Sequence, residues 1–204
     1  MPKVKIPRKN VSLDMTAMCD VAFLLLTFFI LTTSFKPDEP VVVDTPTSIS
    51  EKKLEAADVM LITIDKDGKA YFSVDDPALR GQVLDAMGAK YNLTFSAAEK
   101  QEFANMSSVG VSIQELSQLL KLPPFERKSF KQNGIPYDSL NNQLGDWILT
   151  SRSFKNYLKL GLKGDKDAKY ESSQKIITTI VDNYDSQFYF VTGLEENPNQ
   201  PKKK

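Results

Sequence analysis

The pattern of apolar positions divides the chain into one long apolar run near its start and a mixed, alternating pattern after it. Residues 15–35 (MTAMCDVAFLLLTFFILTTSF) are mainly apolar and contain a single charged residue, Asp20. At about 1.5 Å per residue, a helix over this run extends roughly 31 Å, which is the thickness of a bilayer core. The run therefore predicts a transmembrane helix.

A basic head precedes the apolar run, with four Lys or Arg residues and no acid among the first ten residues. Such a head is typical of a secretory signal or of a membrane anchor. No small-x-small cleavage site follows, and a lipoprotein signal at Cys19 does not fit, because Met18 is bulky and the apolar run follows the cysteine. We therefore expect an uncleaved anchor with residues 1–14 in the cytoplasm and residues from 36 onward in the periplasm.

Asp20 is the unusual feature of the predicted span. Residues 21–31 include nine Val, Leu, Ile or Phe residues, which favour insertion by about 3 to 5 kcal/mol in total, whereas an aspartate at mid-membrane costs about 2.5 to 3.5 kcal/mol. On a helical wheel Thr16, Thr27 and Ser34 fall within roughly 40° of Asp20 and form one polar stripe. Such a stripe requires a protein partner or a water-filled cavity, because lipid cannot hydrogen-bond to it.

Two other interpretations of these residues stay open. Thr27 and Ser34 can bond to carbonyl groups of their own helix, and Asp20 can lie in the headgroups, where the helix dipole favours an acid. Asp14 suits that second role better, since it lies nearer the water boundary and can serve as the N-cap. If Asp20 is held away from water, burial disfavours the charged form of the acid, which can then bind and release a proton as its surroundings change.

Composition excludes several classes of function. The 204 residues include 26 basic and 26 acidic ones, so the net charge indicates neither nucleic acid nor an acidic substrate. With no histidine and one cysteine, the chain lacks a Ser-His or Cys-His nucleophile arrangement, an internal disulfide and a cysteine zinc site. We expect no enzyme, no metal and no cofactor, with protons as the coupling ion.

Residues 36–57 predict an extended linker, because prolines, hydroxyl residues and charges interrupt any periodic pattern. Within it, Val41, Val42 and Val43 favour a short edge strand that ends at Pro46. The alternative is an ordered stretch of linker with no binding role.

Residues 58–195 predict a compact α+β domain with a small mixed sheet and packed helices. Strands are predicted at 59–64, 70–74, 158–162 and 187–192, and helices at 76–89, 96–105, 112–120, 139–150 and 169–183. Ser96 and Ser112 are each followed by Glu three residues later, which predicts capping boxes. Residues 123–136 predict a loop, and residues 196–204 a solvated, disordered tail.

The residues around Asp20 resemble the transmembrane segment of the ExbD/TolR family, the small subunits of proton-driven inner-membrane motors. The family pattern is a polar lead ending in Thr-Pro, two apolar residues, the proton-carrying aspartate and an apolar run. Thr16 and Asp20 stand in the threonine and aspartate places, Ala17 replaces the usual proline, and Asp14 stands where relatives often carry Asn. The helical part of the domain, residues 76–155, is longer than the connection usual in the family and forms an insertion.

The resemblance implies a single-pass inner-membrane protein whose helix, usually as a homodimer, sits inside a pentamer of an ExbB/TolQ-like multi-helix subunit. Proton flow past the aspartate would move the two subunits against each other, and the periplasmic domain would act on a TonB- or TolA-like protein. In the family a Val-rich segment ending at a proline pairs with a partner strand, a role that falls here on Val41, Val42, Val43, Asp44 and Pro46.

Of the roles that the resemblance allows, we expect that of an ExbD-like subunit energising TonB-dependent outer-membrane transport. The alternatives are a TolR-like subunit of the Tol envelope system, or a single-pass scaffold or sensor with a ligand-binding periplasmic domain.

Overall fold

The computed structural model describes residues 15–33, 39–48, 58–127, 129–183 and 188–194. The chain forms two compact units, Met1–Lys36 and Pro37–Lys204. Helix α1 (Met15–Thr32) belongs to the first unit. The predictions made for Asp14, Ser34 and the C-terminal tail lie outside the described residues.

The second unit mixes strands and helices along the chain. Its elements are β1 (Thr47–Ser48), β2 (Val59–Ile64), β3 (Ala70–Val74), α2 (Pro77–Lys90), α3 (Ala97–Asn105), α4 (Ile113–Lys121), α5 (Pro124–Arg127), α6 (Gln143–Phe154), β4 (Lys159–Gly164), α7 (Tyr170–Asn183), β5 (Phe188–Phe190) and β6 (Gly193–Leu194). The predicted α+β class, with one apolar N-terminal helix followed by a domain with a small mixed sheet, is confirmed.

Four strands form the main sheet, in the order β3-β2-β4-β5. β2 and β3 form the predicted antiparallel hairpin, and β4 runs parallel to both β2 and β5. The hairpin turn is closed by the N–H of Gly68, which donates to the carbonyl of Asp65 at 2.8 Å. Gly68 has a φ of +81°, a left-handed conformation that glycine adopts without a steric penalty. The strand–helix–strand order β4-α7-β5 is also the predicted one.

The helices between β3 and β4 cover one face of this sheet and share its core. Trp147 of α6 is fully buried. Its ring centroid lies 5.5 Å from that of Phe72 on β3 and 5.7 Å from that of Phe103 on α3. A single cluster of buried apolar side chains joins the sheet to α2, α3, α4, α6 and α7. Residues 76–155 are therefore part of the domain's only described core cluster and not a separate lobe.

Two of the predicted helix starts are confirmed by their caps. Asp76 precedes α2, and its carboxylate accepts hydrogen bonds from two backbone N–H groups of the first turn. Ser96 and Glu99 form the predicted capping box, in which each side chain accepts from the other residue's backbone N–H, at 3.2 and 2.7 Å. Both caps use residues within three positions of each other, which is why the local sequence is sufficient to predict them.

The capping box predicted at Ser112 is wrong, because the side chain of Ser112 makes no cap hydrogen bond. Instead the side-chain oxygen of Gln143, which is fully buried, accepts from the N–H of Ile113 at 2.8 Å. The predicted loop at 123–136 contains the short helix α5. Helix α6 begins at Gln143 and not at Ser139, since Asn142 caps it by accepting from the backbone of the first turn.

Val41, Val42 and Val43 do not form a strand within the described chain, which agrees with the alternative of an ordered stretch of linker, and their pairing with a partner strand stays a prediction. These residues are irregular, and the described part of the linker contributes only β1, which pairs in parallel with β6. The physical reason is that the linker backbone finds partners elsewhere. The carbonyls of Asp44 and Pro46 accept from backbone N–H groups late in the domain, at 2.9 Å each.

Candidate functional site

Helix α1 is the first candidate site, and most of its surface is apolar. Its 18 residues extend about 27 Å. None is buried by the rest of the described chain, and every large apolar side chain on it is exposed. Among the described residues it is the one helix long and apolar enough to cross a membrane. A helix of this kind is stable in lipid or among other apolar helices.

Asp20 lies five residues into α1 and is the only charged residue between Met15 and Thr33. Thr16 and Thr27 lie four residues before it and seven after it, so helical geometry places all three on one side. The Thr27 hydroxyl donates within its own helix, to the carbonyls of Phe23 and Leu24 at 3.0 Å each.

The hydrogen bonds of Thr27 decide which member of the polar stripe can act on another molecule. A hydroxyl that donates to a carbonyl of its own helix has no donor left for a partner, although its oxygen can still accept. The carboxyl group of Asp20 is different, because its two oxygens accept several hydrogen bonds and its charge changes with protonation. In the described span, Asp20 is therefore the group best suited to exchange a proton or bind a partner helix.

The second candidate site is the segment 39–48, which we call the strap. Val42 is 91% exposed and Val43 only 8%. Asp44 contacts the turn between β4 and α7 in three ways: its carbonyl accepts from the N–H of Lys166 at 2.9 Å, its own N–H donates to the carboxylate of Asp165 at 3.3 Å, and its carboxylate forms an ion pair with the Lys166 ammonium. The hydrogen bond that the Lys166 ammonium donates to the Asp44 carboxylate raises the pKa of Lys166 above its usual value.

Two further contacts fix the ends of the strap. The Lys163 ammonium lies 3.4 Å from the carboxylate of Glu39, and the N–H of Gly193 donates to the carbonyl of Pro46 at 2.9 Å. Sequence reasoning assigned Val41, Val42, Val43, Asp44 and Pro46 to partner docking and missed Asp165 and Lys166. No local signal identifies those two, because they lie more than 120 positions from Asp44.

Neither site offers the donor set of a metal centre. Within the described ranges, no three His, Cys, Asp or Glu side chains are grouped to hold a metal ion. Cys19, the residue before Asp20, is a free and exposed thiol. The groups that the two sites present are a carboxyl group on α1 and, along the strap, ionic side chains and main-chain hydrogen-bonding groups.

Comparison with known proteins identifies the family. The family model of the biopolymer transport protein ExbD/TolR matches residues 7–195. No curated protein and no solved structure matches the chain significantly. Members of this family energise transport and are not enzymes, and they work with ExbB/TolQ-type partners in a membrane complex. The apolar helix α1 of this chain fits a single-pass inner-membrane protein. Because the match spans nearly the whole chain, the protein belongs to the ExbD/TolR family of biopolymer transport proteins.

Proposed function

We propose that the chain is an ExbD-like subunit of an inner-membrane motor driven by the proton-motive force, with Asp20 as the proton carrier. In this proposal α1 is one of a pair in a homodimer, and the pair sits inside a pentamer of an ExbB-like multi-helix subunit. The α+β domain lies in the periplasm and acts on a TonB-like protein, so that the motor energises TonB-dependent outer-membrane transport.

The observation that supports the proposal is a lone acid on an apolar helix that the rest of the described chain leaves uncovered. An aspartate in a membrane helix lowers the free energy gained on insertion by about 2.5 to 3.5 kcal/mol at the bilayer centre, and by less near an end. A helix that only anchored the domain would insert better without Asp20. The presence of this costly acid is explained if its carboxyl group has a function within the membrane.

The proposed energy source, the proton-motive force, acts through the same carboxyl group. One elementary charge that crosses a potential of 100 mV releases about 2.3 kcal/mol. A single helix with one acid is not a pathway, so Asp20 needs surrounding helices that alternately expose it to the two sides. A multi-helix partner supplies such surroundings, and it also covers the apolar surface of α1.

The proposed orientation rests on the sequence before α1. Four basic residues and no acid occupy positions 1–10, and basic flanks stay in the cytoplasm. A cytoplasmic N-terminus with one membrane crossing exports everything after residue 36. The strap is then the first described part of the chain on the periplasmic side.

The test replaces Asp20 by Asn or by Leu and compares each variant with Thr32→Val. The Thr32 hydroxyl donates to the carbonyl of Phe28 in its own helix, at 2.8 Å, so its loss takes nothing from a partner. We expect both Asp20 variants to abolish growth that depends on TonB-linked uptake under iron or vitamin limitation. Their membrane level and orientation should match the wild type, and Thr32→Val should grow normally.

Normal growth of the Asp20→Leu variant under those conditions would contradict the proposal and favour a scaffold or sensor whose helix only anchors it. Co-purification in mild detergent separates the remaining alternatives. An ExbB-like and a TonB-like partner are expected, whereas TolQ- and TolA-like partners would assign the chain to the Tol envelope system.

A further inference from the structure

A cleft of about 530 Å³ opens on the α+β domain, where the end of α3 and the short helix α5 face the first residues of the strap. Its lining residues include Glu39, Pro40, Glu102, Asn105, Pro124 and Arg127. Pockets that bind ligands have volumes of about 300 to 1,000 Å³. The cleft is therefore large enough to bind part of another molecule, and the proposed motor does not use it.

The walls of the cleft are fixed by hydrogen bonds within the domain. The guanidinium of Arg127, on α5, donates to the carbonyls of Leu122 at 2.7 Å and Leu120 at 3.1 Å, at the C-terminal end of α4. It also forms an ion pair with Glu102 of α3, at 2.8 Å. Three helices are thus joined at one side chain. A site whose walls are already in place loses little conformational freedom when it binds a ligand.

The cleft presents negative charge, because in both of its ion pairs the carboxylate is the more exposed member. The side chain of Glu102 is 39% exposed, whereas that of Arg127 is 13% exposed. The side chain of Glu39 is 57% exposed, against 20% for its partner Lys163. Glu39, Glu102 and Arg127 are the charged residues that line the cleft. A cation that enters therefore meets two accessible carboxylates, while the donors of Arg127 are already in use.

The uncharged lining of the cleft fits a peptide chain better than an isolated cation. Pro40, Met106 and Pro124 provide apolar surface, on which the stem of a Lys or Arg side chain can lie while its charged head reaches a carboxylate. Among the described residues, neither the carboxamide of Asn105 nor the hydroxyl of Ser108 has a hydrogen-bond partner. A carboxamide has both donors and an acceptor, which are the groups that a peptide unit needs opposite it.

We propose that the cleft is a docking site for a partner protein, which it binds through an extended segment that carries Lys or Arg. The stem of the basic side chain lies on the apolar surface, and its charged head reaches Glu102 or Glu39. Asn105 hydrogen-bonds to the backbone of the segment. The site goes beyond the proposed function, because it requires neither Asp20 nor a membrane-embedded partner.

The experiment offers a phage-displayed library of short random peptides to the full chain in nanodiscs of phosphatidylcholine. This lipid is neutral overall, so basic peptides are not retained by the membrane. Peptides that bind the wild type and not empty nanodiscs are sequenced, and we expect Lys and Arg to be enriched over the unselected library. The combined variant Glu39→Gln/Glu102→Gln should lose this enrichment.

The most strongly selected peptide is then labelled with a dye, and its Kd is measured by fluorescence anisotropy. Glu102→Gln should weaken binding by up to about fivefold, the size expected for an exposed ion pair. Glu39→Lys should weaken it by more, because it adds repulsion and leaves the ion pair of Arg127 intact. Glu171→Gln, at an exposed position on α7 that does not line the cleft, is the control and should keep the wild-type Kd.

Two further measurements separate the charge contact from the backbone contact. Added salt should weaken binding to the wild type, because it screens exposed charges. Asn105→Ala should also weaken binding, but it should leave the dependence on salt unchanged. Urea unfolding of each variant, followed by the emission of Trp147, shows that the domain is still folded when its Kd is measured.

A selection without enrichment of Lys and Arg, or with the same enrichment in Glu39→Gln/Glu102→Gln, would overturn the docking site. A Kd that Glu39→Lys leaves unchanged in a folded domain would overturn it as well. Selected peptides that reproduce a basic stretch of this chain, such as residues 201–204 (PKKK), would reject a partner protein. The cleft would then be assigned to the chain's own tail or to a second copy.

Discussion

Arg80 offers the sharpest test of how the helices after β3 are tied to the sheet. Its guanidinium donates to the carbonyls of Val74 at the end of β3 and of Ala104 and Met106 at the end of α3, with a longer bond of 3.3 Å to the carbonyl of Asp75. The last carbonyls of a helix have no partner within the helix. Arg80 therefore caps α3 and joins it to the sheet.

The expected size of the effect follows from these bonds. A hydrogen bond from a charged donor contributes about 1.5 to 3 kcal/mol, and bonds that share one donor group do not add. The longest of the four bonds, to the carbonyl of Asp75, is taken to contribute nothing to stability. Because Arg80 is only half-buried, water can hydrogen-bond to some of the carbonyls that the substitution leaves without a donor. We expect Arg80→Ala to lower the free energy of unfolding by about 3 kcal/mol. Arg80→Lys should lose about half of that, since one ammonium cannot replace a fork of donors.

Urea unfolding of the full chain in mild detergent measures this, with fluorescence of the single tryptophan as the signal. Trp147 is buried between Phe72 and Phe103, so its emission reports on the joint core of sheet and helices. Lys175→Ala, at an exposed position on α7, is the control and should stay within about 0.5 kcal/mol of the wild type. If the free energy of unfolding changed equally little in Arg80→Ala, the conclusion that Arg80 joins α3 to the sheet would be refuted.

Two further predictions concern the same domain. Gly110→Ala should lower the free energy of unfolding by about 1 to 3 kcal/mol, because the new Cβ would lie 2.1 Å from the ring of buried Tyr71. Gly81→Ala, where the new Cβ meets nothing within 4 Å, should leave the free energy of unfolding unchanged or raise it in the same urea assay. If Gly110→Ala and Gly81→Ala lowered it equally, the steric reason would be disproved. Hydrogen bonds from Ser117 and from the backbone N–H of Ser96 lower the pKa of Glu99, so its stabilisation is present above the unfolded-state pKa and is lost as the pH falls through the folded-state pKa. Unfolding measured from pH 7 to pH 3 should therefore show the stability gap between wild type and Glu99→Gln closing on acidification, and a gap that stays constant would contradict the assignment.

Local features of the sequence were enough to predict most of the elements. The start of α2 is set by Asp76 and that of α3 by Ser96 with Glu99, and all of these act on their own first turn. Helix α4 shows the limit of such reasoning. Its first N–H group bonds to Gln143, thirty positions away, and no local pattern around Ser112 reveals that partner.

The two candidate sites were predictable to different degrees. The helix around Asp20 depends on apolar length and one acid, both of which are visible in the sequence. The strap depends on pairing with a turn and a strand near the end of the chain. Three β-branched residues in a row favour a strand, but strand propensity depends on context. Here the backbone that follows Val43 bonds to Lys166 and Gly193, through the carbonyls of Asp44 and Pro46, and the valines are irregular.

The central claim concerns the carboxyl group of Asp20 in the assembled complex. Isotope-edited infrared difference spectroscopy of the chain with its multi-helix partner, recorded while the external pH is stepped, observes that group directly. We predict a band from a protonated carboxyl group that appears and disappears with pH and is absent in Asp20→Asn. A carboxylate that stays ionised and in contact with bulk water at every pH would contradict the account.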